Sequence, residues 1–227
     1  MKTCALITIG QAPRVDIADV YDLYFKDQAN IKQIGLLDSM TKEEIDQRYA
    51  WDHSTEVLTT TLRDGSQVIL DHQQVQADLL NKIESLKEAS IDIATLLCTA
   101  EFPQLMLEGI QVIEPEEIII PKLKSEFQLD KMGIIVPLED QIASSSKKWG
   151  IHPDHFAHAS PYQFKEEAFK QAALNLSEKK LDVIVLDCMG YNLSMKVFLE
   201  ELLPDLSIKL SNEIFFEELA FLLNGEE

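Results

Sequence analysis

The chain has little that would hold a small or extracellular protein together: of 227 residues only three are cysteine, Cys4, Cys98 and Cys188. Three thiols make no even disulfide framework, and no two sit at metal-ligand spacing, so reduced cysteines in a cytoplasmic protein are expected. Positive charge is scarce as well. Against 39 Asp and Glu there are 20 Lys and Arg, a formal charge of -19, which repels phosphate backbones and anionic membranes and argues against a nucleic-acid or membrane partner. Nowhere do about 18 apolar residues follow one another, as a membrane-spanning helix requires. Met1 to Gly10 runs into a strand-like segment without a basic region or a cleavage site, so no secretion signal is expected. No phosphate-cradling glycine loop occurs, which speaks against a nucleotide, and no cofactor is expected. What is present is ordinary globular material, 46% hydrophobic and 26% charged, in a chain long enough to bury a self-supporting core.

Short apolar runs alternate with amphipathic stretches, the pattern of βα units wound into parallel sheets. Strands are predicted at 4–9, 31–36, 91–97, 111–113, 132–136, 156–159, 183–187 and 208–210. Several are apolar on both faces, as strands covered by helices on two sides must be. Helical stripes run through Val75, Leu79, Ile83 and Leu86, through Phe164, Ala168, Ala172 and Leu176, and through Ile214, Leu219 and Leu222. Residues 57–62 and 67–70, joined by Arg63-Asp64-Gly65-Ser66, read as an antiparallel hairpin within an insertion at about 38–71, which also holds a polar helix near Glu43 to Tyr49 and Trp51.

Laying the first half over the second supports that insertion. Each half opens with a strand ending in a Gly or Pro turn (Gly10, Pro137), and each has a later strand ending in a cysteine (Cys98, Cys188). The separations are 88 and 51 positions, so the first half is longer by 37, about the size of the insertion. The fold class is therefore α/β, with two pseudo-symmetric lobes, each a parallel sheet flanked by helices, and a hairpin insertion in the first. The first lobe is assigned residues 1–114 plus 209–227 and the second 115–208.

In open α/β sheets ligands bind beyond the carboxyl ends of the strands, where both Cys98 and Cys188 fall. A thiol at the start of a helix gains thiolate character from the helix dipole. Two thiols facing each other across a cleft can take a proton from one face of a carbon and return one to the other, which inverts the centre. Cys4, at the start of the first strand, reads as a small core residue. Arg14, after the Gly10-Gln11-Ala12-Pro13 turn, is a candidate to hold a carboxylate in bidentate fashion, with Gly10 and Gln11 as nearby donors. His152, His155 and His158 match no zinc motif, and the acid pairs Glu116-Glu117, Glu200-Glu201 and Glu217-Glu218 read as solvated helix faces.

Three segments carry a resemblance: Thr8-Ile9-Gly10-Gln11-Ala12-Pro13-Arg14, Leu186-Asp187-Cys188-Met189-Gly190-Tyr191 and Leu210-Ser211-Asn212. Through them the chain resembles the AroM family, within the aspartate/glutamate/hydantoin racemase superfamily, over nearly its whole length. Cys98-Thr99-Ala100 resembles the first cysteine motif of that superfamily without its usual Asn, and Asp187-Cys188-Met189-Gly190 resembles the second, with Asp where many racemases have Gly. The resemblance implies Cys98 and Cys188 as the catalytic pair. Gly10, Gln11, Arg14, Thr99, Ala100, Pro137, Gly190, Tyr191 and Asn212 would then contact a small, carboxylate-bearing ligand, with Asp187 behind them. It also implies that the C-terminus returns to the first lobe. Asn212 has the plainer reading of a helix cap.

Two classes of function remain open. One is a cofactor-independent racemase or epimerase, or a related isomerase or lyase, acting on a small carboxylate or cyclic amide, with a single-cysteine nucleophile as an enzymatic variant. The other is a non-catalytic metabolite-binding or regulatory protein on the same scaffold. The insertion is expected to act as a lid or as the contact of a homodimer.

Overall fold

The computed structural model describes residues 2–26, 28, 30–103, 105 and 109–224, apart from the side chain at 88. The first half runs β1 (Cys4–Thr8), α1 (Ala18–Phe25), β2 (Ile31–Gly35), α2 (Lys42–Arg48), β3 (Val57–Thr61), β4 (Gln67–Asp71), α3 (His72–Ser85), β5 (Ile93–Leu96) and β6 (Gln111–Ile113). The second runs α4 (Pro115–Glu126), β7 (Met132–Val136), α5 (Ile142–Trp149), β8 (Phe156–His158), α6 (Glu166–Ser177), β9 (Val183–Leu186), α7 (Leu193–Leu202), β10 (Ser207–Leu210) and α8 (Ser211–Asn224).

Two four-stranded parallel sheets result, ordered β2-β1-β5-β6 and β8-β7-β9-β10, so each half places its first strand between its second and third. The register makes the repeat specific. Cys4 pairs with Ile93 and Ile7 with Leu96 in one sheet; Met132 pairs with Val183 and Ile135 with Leu186 in the other. Cys98 and Cys188 therefore stand at equivalent positions, two residues past equivalent strand ends. The same register makes Ile9, rather than Gly10, the counterpart of Pro137, a one-residue correction to the sequence comparison.

Alternation along β1 divides the core. Cys4 and Leu6 face the layer of α1 and α8, while Ala5 and Ile7 face α3 and the hairpin. Cys4 is fully buried and its thiol is pushed up to about 12 by burial, which suits a core residue. The hairpin of β3 and β4 forms a separate two-stranded sheet, with Gly65 at positive φ in its turn. Thr41 and Glu44 cap α2 reciprocally, as the Thr-x-x-Glu spacing favours.

Two helical stripes differ from expectation. The buried arc of α6 is Phe169, Ala172, Ala173 and Leu176, and Phe164 lies before the helix, 45% exposed, because Lys165 is the cap and the helical phase starts only after it. In α8 Leu223 is buried and Leu222 exposed, while Phe215 and Phe216 join Ile214 and Leu219 in the apolar face. α8 follows β10 of the second sheet and packs on α1 and α4, with Phe216 edge-on to Phe25 at 5.3 Å. Glu217 and Glu218 are not merely solvated: both meet Lys122 of α4, at 3.0 and 2.9 Å.

Candidate functional site

Beyond the carboxyl ends of the two sheets, Cys98 and Cys188 line one small cavity together with Ile9, Pro137, Tyr162 and Asp187. Leu58 and Thr59 of β3 form part of its wall, so the insertion helps to cover it. The hairpin reaches the second half through Gln141 Nε2, which donates to Val57 O (3.2 Å), and Ser160 Oγ, which donates to Gln67 Oε1 (3.2 Å). The enclosed space is about 30 Å³, room for about one water. Thr99, Ala100 and Asp187 are shared with an adjoining space of about 40 Å³, which meets, at Glu56, Glu101 and Ser144, an outer cleft of about 950 Å³.

The two thiols have unlike surroundings. Cys188 receives a hydrogen bond from Gly190 N at 3.4 Å, and the Tyr162 hydroxyl lies 3.4 Å from its sulfur. Burial raises the Cys188 pKa, while Tyr162, Gly190 N–H and Arg14 work in the opposite direction. Burial pushes Cys98 up to about 12, with the Ala100 N–H as the main counterweight. The expectation of thiolates favoured by helix dipoles is thus corrected. Residues 98–103 form no helix, and desolvation of the charged form outweighs the donors present. The Cys188 loop leads into a helix, α7, whose cap is Asn192.

Arg14 is in the neighbourhood but its fork is taken. It is 2% exposed; Nε and Nη2 donate to the two Asp16 oxygens at 2.8 and 2.6 Å, and Nη1 donates to Thr8 Oγ1 at 3.2 Å. Its guanidinium lies 5.7 Å from the centre of the Tyr162 ring. Burial opposes its charge, but Tyr162, Asp16 and Cys188 hold its pKa above the ordinary value. Gln11 is also committed, its amide donating to Leu37 O and Met40 O while its oxygen accepts from Arg63 N. Gly10 is packed against the hairpin so closely that a Cβ would meet Thr60 Oγ1 at 2.4 Å.

Thr99 and Ala100 do line the space; Tyr191 does not. Tyr191 is fully buried with its hydroxyl donating to Ala159 O at 2.8 Å. Asn212 is neither a cap nor in the cavity wall: its side-chain amide donates to Met189 O (3.2 Å) and Tyr191 O (2.6 Å), holding the loop that carries Cys188. Asp187, 4% exposed, stands at the cavity wall as a hydrogen-bond acceptor. It accepts from Lys148 Nζ (2.8 Å) and Trp149 Nε1 (2.7 Å).

The residues that sequence reasoning missed are Lys148 and Tyr162. Lys148 Nζ also donates to Thr99 O at 2.7 Å, and Thr99 Oγ1 donates to Asp187 O at 3.3 Å, so the two cysteine motifs are laced across the halves. Neither residue lies in a recognisable motif. Ser144-Ser145-Ser146-Lys147-Lys148 reads as surface, and only the fold turns Lys148 inward. Glu116, expected on a solvated helix face, instead has its Oε2 buried with no partner among the described residues, and burial, with Glu101 and Glu114, raises its pKa to about 7. No group of three or more metal-ligating side chains occurs among the described residues, and His152 and His155 instead pair with Asp154 and the Met132 carbonyl. Nor, among them, is any helix long and apolar enough to cross a membrane.

A two-lobed α/β scaffold with a strand-end cysteine in each lobe defines a protein of racemase-like fold. A glutamate racemase isoform, RacE1, from Bacillus anthracis matches over 98% of this chain and 82% of its own, with a TM-score of 0.65 at 17% identity. An arylmalonate decarboxylase matches over 99% and 94%, with a TM-score of 0.62 at 13% identity. The allantoin racemase of Klebsiella pneumoniae matches over 99% and 88%, with a TM-score of 0.59 at 12% identity. No curated protein matches the sequence. The family model for the AroM protein matches residues 4–217, and the chain belongs to that family.

Proposed function

We propose that the chain is a racemase or epimerase that works with two cysteines and no cofactor on a small carboxylate or cyclic amide. The observation that carries this reading is the pair Cys98 and Cys188 on one cavity at positions equivalent by strand register. In the reaction a thiolate takes the proton from a carbon next to a carbonyl, and the electron pair passes into that carbonyl as an enolate. The opposite thiol then gives its proton to the other face as the enolate collapses, leaving the charge on the second sulfur. The enclosed space is too small for a substrate, so the ligand must part the hairpin from the second half or displace Tyr162.

Charge favours the neutral member of the substrate pair. Arg14 is paired with Asp16 and Lys148 with Asp187, and the outer cleft is lined by Glu56, Glu101, Glu114, Glu116, Glu117 and Asp140. An anion entering by that route meets an opposing field, which a cyclic amide does not.

The test is proton exchange in D2O with hydantoins, amino acids and dicarboxylates, followed by NMR and optical rotation. Exchange with inversion is expected for a cyclic amide and should vanish on Cys98→Ser or Cys188→Ser. The burial that disfavours both thiolates supports a second reading, a metabolite-binding protein. Protection of the thiols by a compound that never exchanges its proton would select it.

A further inference from the structure

The strand register that relates the halves also exposes where they part. Thr8 pairs with Gly35 in one sheet and Val136 with His158 in the other, which makes Ser39 the counterpart of Tyr162. Ser39 lines a shallow outer groove with Met40, Glu44 and Arg48, away from the cysteines, whereas Tyr162 lines the cavity with its hydroxyl on the Cys188 sulfur. Among the described residues Cys98 therefore has no hydroxyl partner corresponding to the one on Cys188. The ring of Tyr162 is also held in place. It rests on Gly190, where a Cβ would meet it at 2.5 Å, and its face is 5.7 Å from the Arg14 guanidinium.

We infer that Tyr162 is a positioning residue for Cys188: its hydroxyl donates to the sulfur as that sulfur becomes thiolate, making Cys188 the resting thiolate, which abstracts from the enantiomer whose proton faces it while Cys98 returns a proton; the opposite enantiomer reacts by the same steps in reverse. The inference rests on the two-thiol reading above and adds to it which thiol rests as the anion. A donor held against one sulfur stabilises its anion relative to the other, because a hydrogen bond to the charged form favours that form. Arg14 adds positive charge on the same side. Opposing it are Asp187 at the next residue, Asp16 behind Arg14 and the second thiol, Cys98, while Lys148 offsets Asp187. Tyr191 is buried with its hydroxyl on the Ala159 carbonyl and is not a donor to the sulfur. Of these groups, Tyr162 alone can be stripped of its effect by removing one oxygen.

The test is the pH dependence of alkylation by iodoacetamide at each cysteine of the full chain, read by peptide mass, in the wild type, Tyr162→Phe and Gly190→Ala. In the wild type Cys188 should react at lower pH than Cys98. Tyr162→Phe should move the Cys188 curve upward by about one to two pH units, the shift expected when an anion loses a charge-assisted hydrogen bond. The Cys98 curve should stay in place. Gly190→Ala, which displaces the ring without removing the hydroxyl, should move the Cys188 curve in the same direction. A Cys188 curve unmoved by Tyr162→Phe, or a joint shift of both cysteines, overturns the inference while leaving the two-thiol site standing. If both thiols are inert until the protein unfolds, the two-thiol reading itself fails.

Discussion

The two sides of the cysteine cavity derive from the same structural repeat and have been finished differently. On the Cys188 side the ring of Tyr162, the paired Arg14 and the loop held by Asn212 close the site with aromatic and hydrogen-bonded contacts. On the Cys98 side the loop is non-helical, its carbonyl at Thr99 is held by a lysine from the other half, and the space beyond opens toward carboxylates. Equivalent strand ends place the sulfurs. The loops that follow them set the chemistry of each, and those loops share no sequence.

The largest effect that would break or sharpen this contrast is on turnover. Both Cys98→Ser and Cys188→Ser should abolish inversion, a loss of about 10²–10⁴-fold for a missing acid or base. The variants should nonetheless differ. Cys98→Ser should still wash out the substrate proton that faces Cys188, with retention, while Cys188→Ser should not. Equal residual exchange in D2O would mean that the two sides are interchangeable.

Next comes the clasp between the halves. Lys148 and Asp187 are both nearly inaccessible, with side chains 7% and 2% exposed. Lys148→Met leaves a buried carboxylate with, among the described residues, the Trp149 N–H alone, which should cost about 3–5 kcal/mol in urea unfolding. Adding Asp187→Asn should restore much of it. Because Lys148 also holds the Thr99 carbonyl, the single variant should loosen Cys98 and speed its alkylation more than that of Cys188. A loss below about 1 kcal/mol would show that the pair is solvated.

A smaller steric effect belongs to the other side. Gly190→Ala puts a methyl 2.5 Å from the Tyr162 ring, which must tilt or shift, at about 1–3 kcal/mol. Thermal unfolding of Gly190→Ala, Tyr162→Phe and the double variant would separate the ring's displacement from the loss of its hydroxyl. Strictly additive losses would mean that the methyl does not reach the ring.

What the sequence made legible follows from what periodicity encodes. Apolar runs of four or five residues, bounded by helical stripes, specify buried parallel strands, and the Arg63 to Ser66 turn specifies a hairpin. Cys98 and Cys188 could be matched because the register of a parallel sheet is carried by strand ends. Side-chain destinations are another matter. Nothing local distinguishes Arg14 facing a ligand from Arg14 facing Asp16 two residues on, or turns Lys148 inward among serines and a second lysine. Asn212 sits at a helix start, where capping is the local expectation, yet its partners Met189 and Tyr191 are more than twenty positions away. Contacts of that range are set by how the halves pack, and one sequence alone does not display them.

The smallest predicted effect concerns Glu116, where the open side carries its excess charge. Burial and the neighbouring Glu101 and Glu114 raise its carboxyl from an ordinary 4.5 to about 7. Between those values the folded chain keeps a proton that the unfolded chain has lost. Its contribution to stability therefore falls as pH rises from about 4.5 through 7 and stays unfavourable above. The residue keeps partial contact with solvent, so screening should limit the penalty to about 1 kcal/mol or less. Glu116→Gln should raise the melting temperature at pH 8 and leave it nearly unchanged at pH 4. An equal gain at both pH values would assign the effect to packing. Tyr162→Phe, on the closed side, should show no such dependence over this range, since the phenol pKa lies well above it.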